Sequence, residues 1–298
     1  MSMKLQGCGT ALVTPFKKDQ SVDENALRAL VEWQVASGIH FLVPCGSTGE
    51  AATLSRAEWL RVIDITIEVA GGRVPIVAGA TSNATADAVD KAREVGKRKG
   101  VDAILSASPY YNKPTQEGQY QHFKAIAEAV DKPLVLYNVP GRTAANIEPA
   151  TLGRLAKISN ITAVKEASGN ISQIAEAFNH VPDSFLVFSG DDAITLPVIS
   201  LGGVGIISVA SNEIPKELSE MTCAALNNDW EKARKIHRKF LPLMQANFIE
   251  SNPMPVKAVL AMMGKVEEIY RLPMLPMKAD TRARLQQTAV DVGLLKSS

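Results

Sequence analysis

Cysteine and histidine are scarce in this chain. The three cysteines, Cys8, Cys45 and Cys223, lie far apart. That spacing excludes a disulfide framework and suits a reducing cytosol. The four histidines, His40, His122, His180 and His237, show no metal-ligand spacing, so surface or helix-packing roles are expected and no metal centre. Neither sign of charge dominates, with a formal net charge of +1 and both signs mixed throughout. There is no basic stripe and no aromatic-rich basic segment, which excludes nucleic-acid binding. No apolar run is long enough to span a bilayer. The stretch from Met1 to Cys8 lacks the apolar core of a signal peptide, and Leu5-Gln6-Gly7-Cys8 lacks the apolar lead of a lipoprotein box. No G-x-G-x-x-G follows the first apolar run, and no P-loop lysine follows Gly46-Ser47-Thr48-Gly49.

What the chain does hold is a recurring alternation. Short apolar, β-branched runs occur at Gly9–Thr14, His40–Cys45, Val74–Gly79, Asp102–Ala107, Pro133–Asn138, Ile161–Lys165, Ser184–Ser189 and Val204–Val209. They are near-continuously apolar, as strands covered on both faces are. Between them lie amphipathic stretches. Asp23 to Ser37 carries Leu27, Leu30, Val31 and Val35 on one stripe behind an Asp23 N-cap. Ser55 to Ala70 opens on a Ser55/Glu58 capping box. Thr85 to Lys99 and Glu117 to Val130 are similar. Eight strand–helix units in residues 1–226 predict a (β/α)8 TIM barrel, which typically takes about 250 residues. An open doubly wound sheet is the alternative. After Asn228 the β-like runs cease, and Trp230–Ala246, Pro255–Met263 and Thr281–Val292 read as helices. Residues 227–298 are therefore expected to be a helical extension packed on the barrel exterior.

Function in such barrels collects at the C-terminal strand ends. Those ends carry Gly46-Ser47-Thr48-Gly49-Glu50, Pro109-Tyr110-Tyr111-Asn112, Tyr137 followed by Arg142, Lys165, and Gly190-Asp191-Asp192. Lysine ending an apolar strand is unusual, because a buried ammonium is costly. Burial favours the neutral amine, a nucleophile able to condense with a ketone. Taken alone, Lys165 could snorkel to solvent, Tyr137 could be a core aromatic, and Arg142 could be a solvated loop residue. Sharing one rim favours chemistry instead. Tyr137 becomes a candidate acid/base, though a pKa near 10 demands relayed hydroxyls, for which Ser47, Thr48 and Tyr111 are candidates. The Gly46–Gly49 turn can hold a carboxylate through backbone N–H groups and two hydroxyls. Arg142 can grip another carboxylate bidentately. Cys45 is expected to be a packing residue. Asp191 and Asp192 are expected to cap the next helix. A paired-carboxylate hydrolase lacks any other supporting residue.

With these motifs the chain resembles the 4-hydroxy-tetrahydrodipicolinate (dihydrodipicolinate) synthase family. That family belongs to the class I pyruvate-dependent aldolases, which include N-acetylneuraminate lyase. The resemblance rests on Gly46 to Glu50, Pro109 to Pro114, Tyr137 to Thr143, Val164 to Ala167 and Ser189 to Asp192, and extends through Asn252 to Lys257 and Arg271 to Met274. It implies a Schiff base between Lys165 and pyruvate, then condensation with L-aspartate-4-semialdehyde on the diaminopimelate route to lysine. It assigns proton shuttling to Tyr137, with Ser47 and Tyr111 in the relay and Tyr111 entering from a neighbouring subunit. Thr48 and the turn amides hold the pyruvate carboxylate, Arg142 holds that of the aldehyde, and Gly190 and Ile207 line the site. No cofactor is implied. A homotetramer of two tight dimers is.

Ser47 stands where the family usually has threonine. The hydroxyl remains, less restricted in orientation, so the relay is expected to survive. Feedback inhibition by lysine is assigned by the resemblance to Ala52, Trp59, Asn83, Asp87 and Tyr110. Asp87 is shorter than the usual glutamate and Trp59 replaces a frequent histidine, so weak or absent inhibition is expected. The rival readings are a sugar-acid aldolase, which the Arg142 clamp disfavours, and a non-catalytic sensor, which Lys165, Tyr137 and Ser47 together disfavour.

Overall fold

The structure, a computed structural model, describes residues 5–296. The leaderless reading of Met1 to Lys4 lies outside them. The eight apolar runs form eight strands: β1 Gly7–Ala11, β2 Phe41–Val43, β3 Val77–Gly79, β4 Ala103–Ala107, β5 Leu134–Asn138, β6 Ile161–Glu166, β7 Leu186–Ser189 and β8 Gly205–Ser208. They lie in the spatial order β2-β1-β8-β7-β6-β5-β4-β3. Neighbours run parallel, and β1 meets β8 in register from Gly7↔Gly205 to Thr10↔Ser208. A single bridge, Leu42↔Ile76, spans the remaining seam between β2 and β3. The result is a nearly closed (β/α)8 barrel, as the alternation predicts.

Most strands are shorter than the runs, usually at the N-terminal end, while β1, β2 and β8 stop short of them at the C-terminal rim. Beyond Ala11 the backbone turns to loop partners. Val13 N donates to Asn212 Oδ1 (3.1 Å), and the Thr14 hydroxyl donates to the Gly49 carbonyl (2.7 Å). Helices form where the sequence caps them. Asp23 accepts from Ala26 N at the head of Glu24–Ala36, and Ser55 and Glu58 close a reciprocal box on Arg56–Ala70. Each such cap contributes about 1 kcal/mol.

Strand residues alternate between two cores. In β4 Ala103, Leu105 and Ala107 face the barrel interior while Ile104 joins the outer, helix-covered core. In β5 Val135 and Tyr137 face inward and Leu134 and Leu136 outward. Period-2 alternation therefore carries Lys165, two residues beyond inward-facing Ala163, into the interior. Phe41 and Phe188 pack edge to face in the barrel, their centroids 5.5 Å apart. Gly9 makes room for them, since a Cβ there would lie 2.0 Å from the Phe41 ring.

The C-terminal helices are Trp230–Ala246, Met254–Met262 and Ala279–Asp291. Their expected exterior packing is only part of the arrangement. The segment between the first two reaches back to the C-terminal rim of the barrel through Asn252, and Lys257 follows it into a buried ion pair with Glu50 (2.7 Å). A lysine in an otherwise apolar helix has nowhere to discharge its cost except against such a partner. No helix among the described residues is long and apolar enough to cross a membrane.

Candidate active site

Tyr137 and Lys165 are register neighbours on β5 and β6. The amine Nζ lies 4.4 Å from the centroid of the Tyr137 ring. Lys165 is only 4% exposed. Burial lowers its pKa to about 8; the nearby Asp192 carboxylate partly opposes this and the Arg142 guanidinium reinforces it. Burial moves Tyr137 the other way, up to about 12, against the pull of Arg142. The pair is thus an amine that yields its proton more readily than an ordinary lysine beside a phenol that holds its own more tightly.

Asp191 and Asp192 divide their work. Asp191 caps as expected, its Oδ1 accepting from Ala193 N (2.9 Å). Asp192 does not. It is buried and turns to the end of β8, accepting from the Ser208 hydroxyl and from Val209 N and Ala210 N, both at 3.1 Å. A cap needs an exposed helix start; this carboxylate lies behind β8, where three donors fix it within electrostatic reach of the amine. Between the two strands, Gly190 leaves room that a side chain would fill. A Cβ there would lie 2.7 Å from Ala167 Cβ and 3.0 Å from Lys165 Cγ. Ile207 adds an apolar wall from β8.

The turn after β2 is entered and left by left-handed residues, Cys45 (φ 57°) and Glu50 (φ 52°). Each costs on the order of 1 kcal/mol or more and persists only where surroundings enforce it. Here Lys257 Nζ grips Glu50 Oε1 while also donating to the carbonyls of Thr14 and Ile269. Within the turn, Gly49 N and Glu50 N donate to Gly46 O and Ser47 O. Among the described residues, the amides of Ser47 and Thr48 donate to nothing. Two unspent donors and two hydroxyls at a strand end make an anion cradle. Ser47 is exposed, whereas Thr48 is buried and its Oγ1 accepts from Asn252 Nδ2 (2.9 Å).

Arg142 sits in a single helical turn, Pro140–Thr143, just past β5. Its Nη2 donates to the Asn252 carbonyl (3.0 Å), and the residue otherwise faces solvent. Tyr111 points away from its own barrel, 87% exposed with φ 75°. Among the described residues no hydrogen bond joins Tyr137 to Ser47 or Tyr111, so one chain brings the amine, phenol, turn and guanidinium together but not the hydroxyl relay.

The profile of the Dihydrodipicolinate synthetase family matches residues 4–291. The chain belongs to that family. It is 72% identical to the 4-hydroxy-tetrahydrodipicolinate synthase of Koribacter versatilis, over 99% of each chain. It is 59% identical to that of Acidobacterium capsulatum, over 98% of this chain and 97% of the relative. Among solved structures, the chloride-inhibited dihydrodipicolinate synthase of Acinetobacter baumannii complexed with pyruvate superposes with a TM-score of 0.95, at 42% identity, covering 98% of this chain and all of that one.

Against this family background, the residues at the expected lysine site are already engaged within the subunit. The buried Trp59 donates its indole N–H to Gly79 O (2.9 Å), and Arg56 lies over its ring. Asp87 pairs with Lys91 (3.1 Å), and Asn83 donates to Tyr110 O (3.2 Å). The sequence assigns no role to Asn252 or Lys257, though both lie in a motif that carries the resemblance, and it does not show that Asp192 turns inward. For Lys257 a signal existed, a lysine flanked by Val256, Ala258 and Val259, which is the same anomaly that marks Lys165.

Proposed function

We propose that the chain condenses pyruvate with L-aspartate-4-semialdehyde through a Schiff base at Lys165, giving 4-hydroxy-tetrahydrodipicolinate on the diaminopimelate route to lysine. The observation that carries this is the buried Lys165 amine beside the Tyr137 ring, below an exposed arginine. Neutral Nζ attacks the keto carbon of pyruvate, and loss of water leaves an iminium. The iminium acidifies the adjacent methyl group, which gives up a proton to form an enamine. The enamine carbon attacks the aldehyde. The amino group of the new chain then displaces Lys165 by transimination and closes the ring.

Thr48 and the free amides of the β2 turn hold the pyruvate carboxylate. Arg142 takes the carboxylate of the aldehyde, a bidentate role suited to guanidinium. Gly190 and Ile207 bound the space at the imine. Tyr137 passes protons through Ser47 and through Tyr111 of a neighbouring subunit. The outward-pointing Tyr111, held with a left-handed backbone, supports a tight dimer, and we place two such dimers in a tetramer. The experiment for the whole reading is borohydride reduction with pyruvate present, followed by mass spectrometry. A pyruvate-derived mass gain on Lys165 is expected, and its absence overturns the reading. A coupled assay with the aldehyde then reads the second half.

Arg142→Ala is expected to raise the KM for the aldehyde about 10- to 100-fold, the scale of a lost charge-assisted bidentate contact, while pyruvate trapping persists. An unchanged aldehyde KM would remove the ground for preferring this substrate over a sugar acid. L-Lysine is expected to inhibit weakly or not at all, because Trp59 and Asp87 already have partners within the subunit. Micromolar inhibition in a steady-state assay would contradict this.

A further inference from the structure

We infer that Asn252 is a positioning residue for both substrate subsites at once: its side chain aims the Thr48 hydroxyl, and its backbone carbonyl holds the Arg142 guanidinium. This rests on the proposed roles of Thr48 and Arg142. Asn252 lies in the segment between helices Trp230–Ala246 and Met254–Met262 and is 3% exposed. Its Nδ2 donates to Thr48 Oγ1 (2.9 Å), and its carbonyl accepts from Arg142 Nη2 (3.0 Å). The two groups it touches belong to different strand ends, β2 and β5, and are proposed to grip the carboxylates of different substrates.

The direction of the first bond matters. A hydroxyl that accepts from an amide keeps its own proton to donate. Thr48 is therefore left with an O–H free for the pyruvate carboxylate, beside the unspent amides of the same turn. The amide oxygen of Asn252 has no hydrogen-bond partner among the described residues, so the bond to Thr48 is the only polar tie of that side chain. The mounting of Asn252 is itself firm. Lys257, on the helix that follows, is paired with Glu50 at the end of the same turn, with side-chain exposures of 0% and 2%. The segment thus clamps the β2 turn at two points, and through its carbonyl it sets how far Arg142 stands from that turn.

The test uses the full chain and steady-state kinetics in both substrates. Asn252→Asp keeps the shape but replaces the donor with an acceptor, which draws the Thr48 proton away from pyruvate. It is expected to raise the KM of pyruvate more than about 10-fold, the scale of one hydrogen bond to a charged group. The KM of the aldehyde is expected to rise less, because the substitution leaves in place the backbone carbonyl that holds Arg142, and kcat is expected to change little. Asn252→Ala is expected to raise the pyruvate KM less than Asn252→Asp. Added to Thr48→Val, Asn252→Ala should cost no further pyruvate affinity, because it acts through that hydroxyl. A pyruvate KM within twofold of the unsubstituted protein in Asn252→Asp overturns the inference. So does an aldehyde KM that rises more than the pyruvate KM, or a double variant whose losses multiply. If Asn252→Ala fails to fold, the isosteric Asn252→Asp decides alone. Borohydride trapping on the unsubstituted protein separates the two levels. If Lys165 is not trapped, the catalytic reading falls and this inference with it. If Lys165 is trapped and Asn252→Asp is silent, only the inference falls.

Discussion

Lys165→Ala yields a protein that gains no mass on borohydride reduction with pyruvate and turns over at least about 10³-fold more slowly, as expected when a covalent nucleophile is removed. Retention of pyruvate trapping at another position would overturn the assignment. The energetic reason lies in the strand. An ordinary lysine is roughly three parts in ten thousand neutral at pH 7, whereas with a pKa of about 8 roughly a tenth is neutral. Burial thus supplies most of the nucleophile, and Asp192 keeps the shift from going further. Imine formation should accordingly rise with pH and level off above about 8.

The same burial weakens the fold. Between about 8 and the ordinary 10.5, the unfolded chain binds a proton at this lysine that the folded chain has given up, so native stability rises with pH across that window. Below it the penalty is complete. Lys165→Met, which fills the same space without charge, should therefore be inactive yet more stable at neutral pH, by a few kcal/mol as an order of magnitude. Denaturant titration checks this, and a destabilised Lys165→Met protein would contradict it.

Tyr137→Phe leaves pyruvate trapping intact but lowers turnover by about 10²-fold or more, the range for loss of a general acid–base group. The ring that lies against the lysine remains, so ground-state packing is preserved and the loss reports the hydroxyl alone. With its pKa pushed up to about 12, the phenol keeps its proton through the physiological range, and in the proposed reaction a phenol that has donated is restored only when a neighbour returns a proton to it. Unchanged turnover in Tyr137→Phe would leave the relay without its central member.

The fold was legible because its signals are local. Buried parallel strands must be apolar on both faces, and the Asp23 and Ser55/Glu58 caps mark helix starts within a few residues. Lys165 was legible for a related reason, since an ionisable group inside an apolar run has to be explained. Asn252 was not. Nothing in its neighbourhood shows that its amide meets a threonine on β2 and its carbonyl an arginine beyond β5, because those contacts exist only once the barrel has closed. Asp192 misled for the complementary reason. An aspartate in a Gly190-Asp191-Asp192 run has a good local use as a cap, and only the fold shows that Asp192 bonds to the end of β8. The strand ends misled slightly, since residues such as Val13 and Thr14 are apolar or β-branched enough for a strand but are claimed by loop partners.

The edge-to-face rings of Phe41 and Phe188, seated over Gly9, fill the barrel interior, and Phe188 is the register neighbour of Lys165 on β7. An interior packed with side chains is no pore, so the amine is reached from the C-terminal mouth. On the proposed chemistry the keto acid would dock on the deep lysine before the aldehyde arrives above it, the water shed by imine formation would leave along the path the aldehyde then takes, and the finished ring would depart past Arg142. Sequential traffic through one mouth is thus what a filled barrel interior would impose on the proposed chemistry.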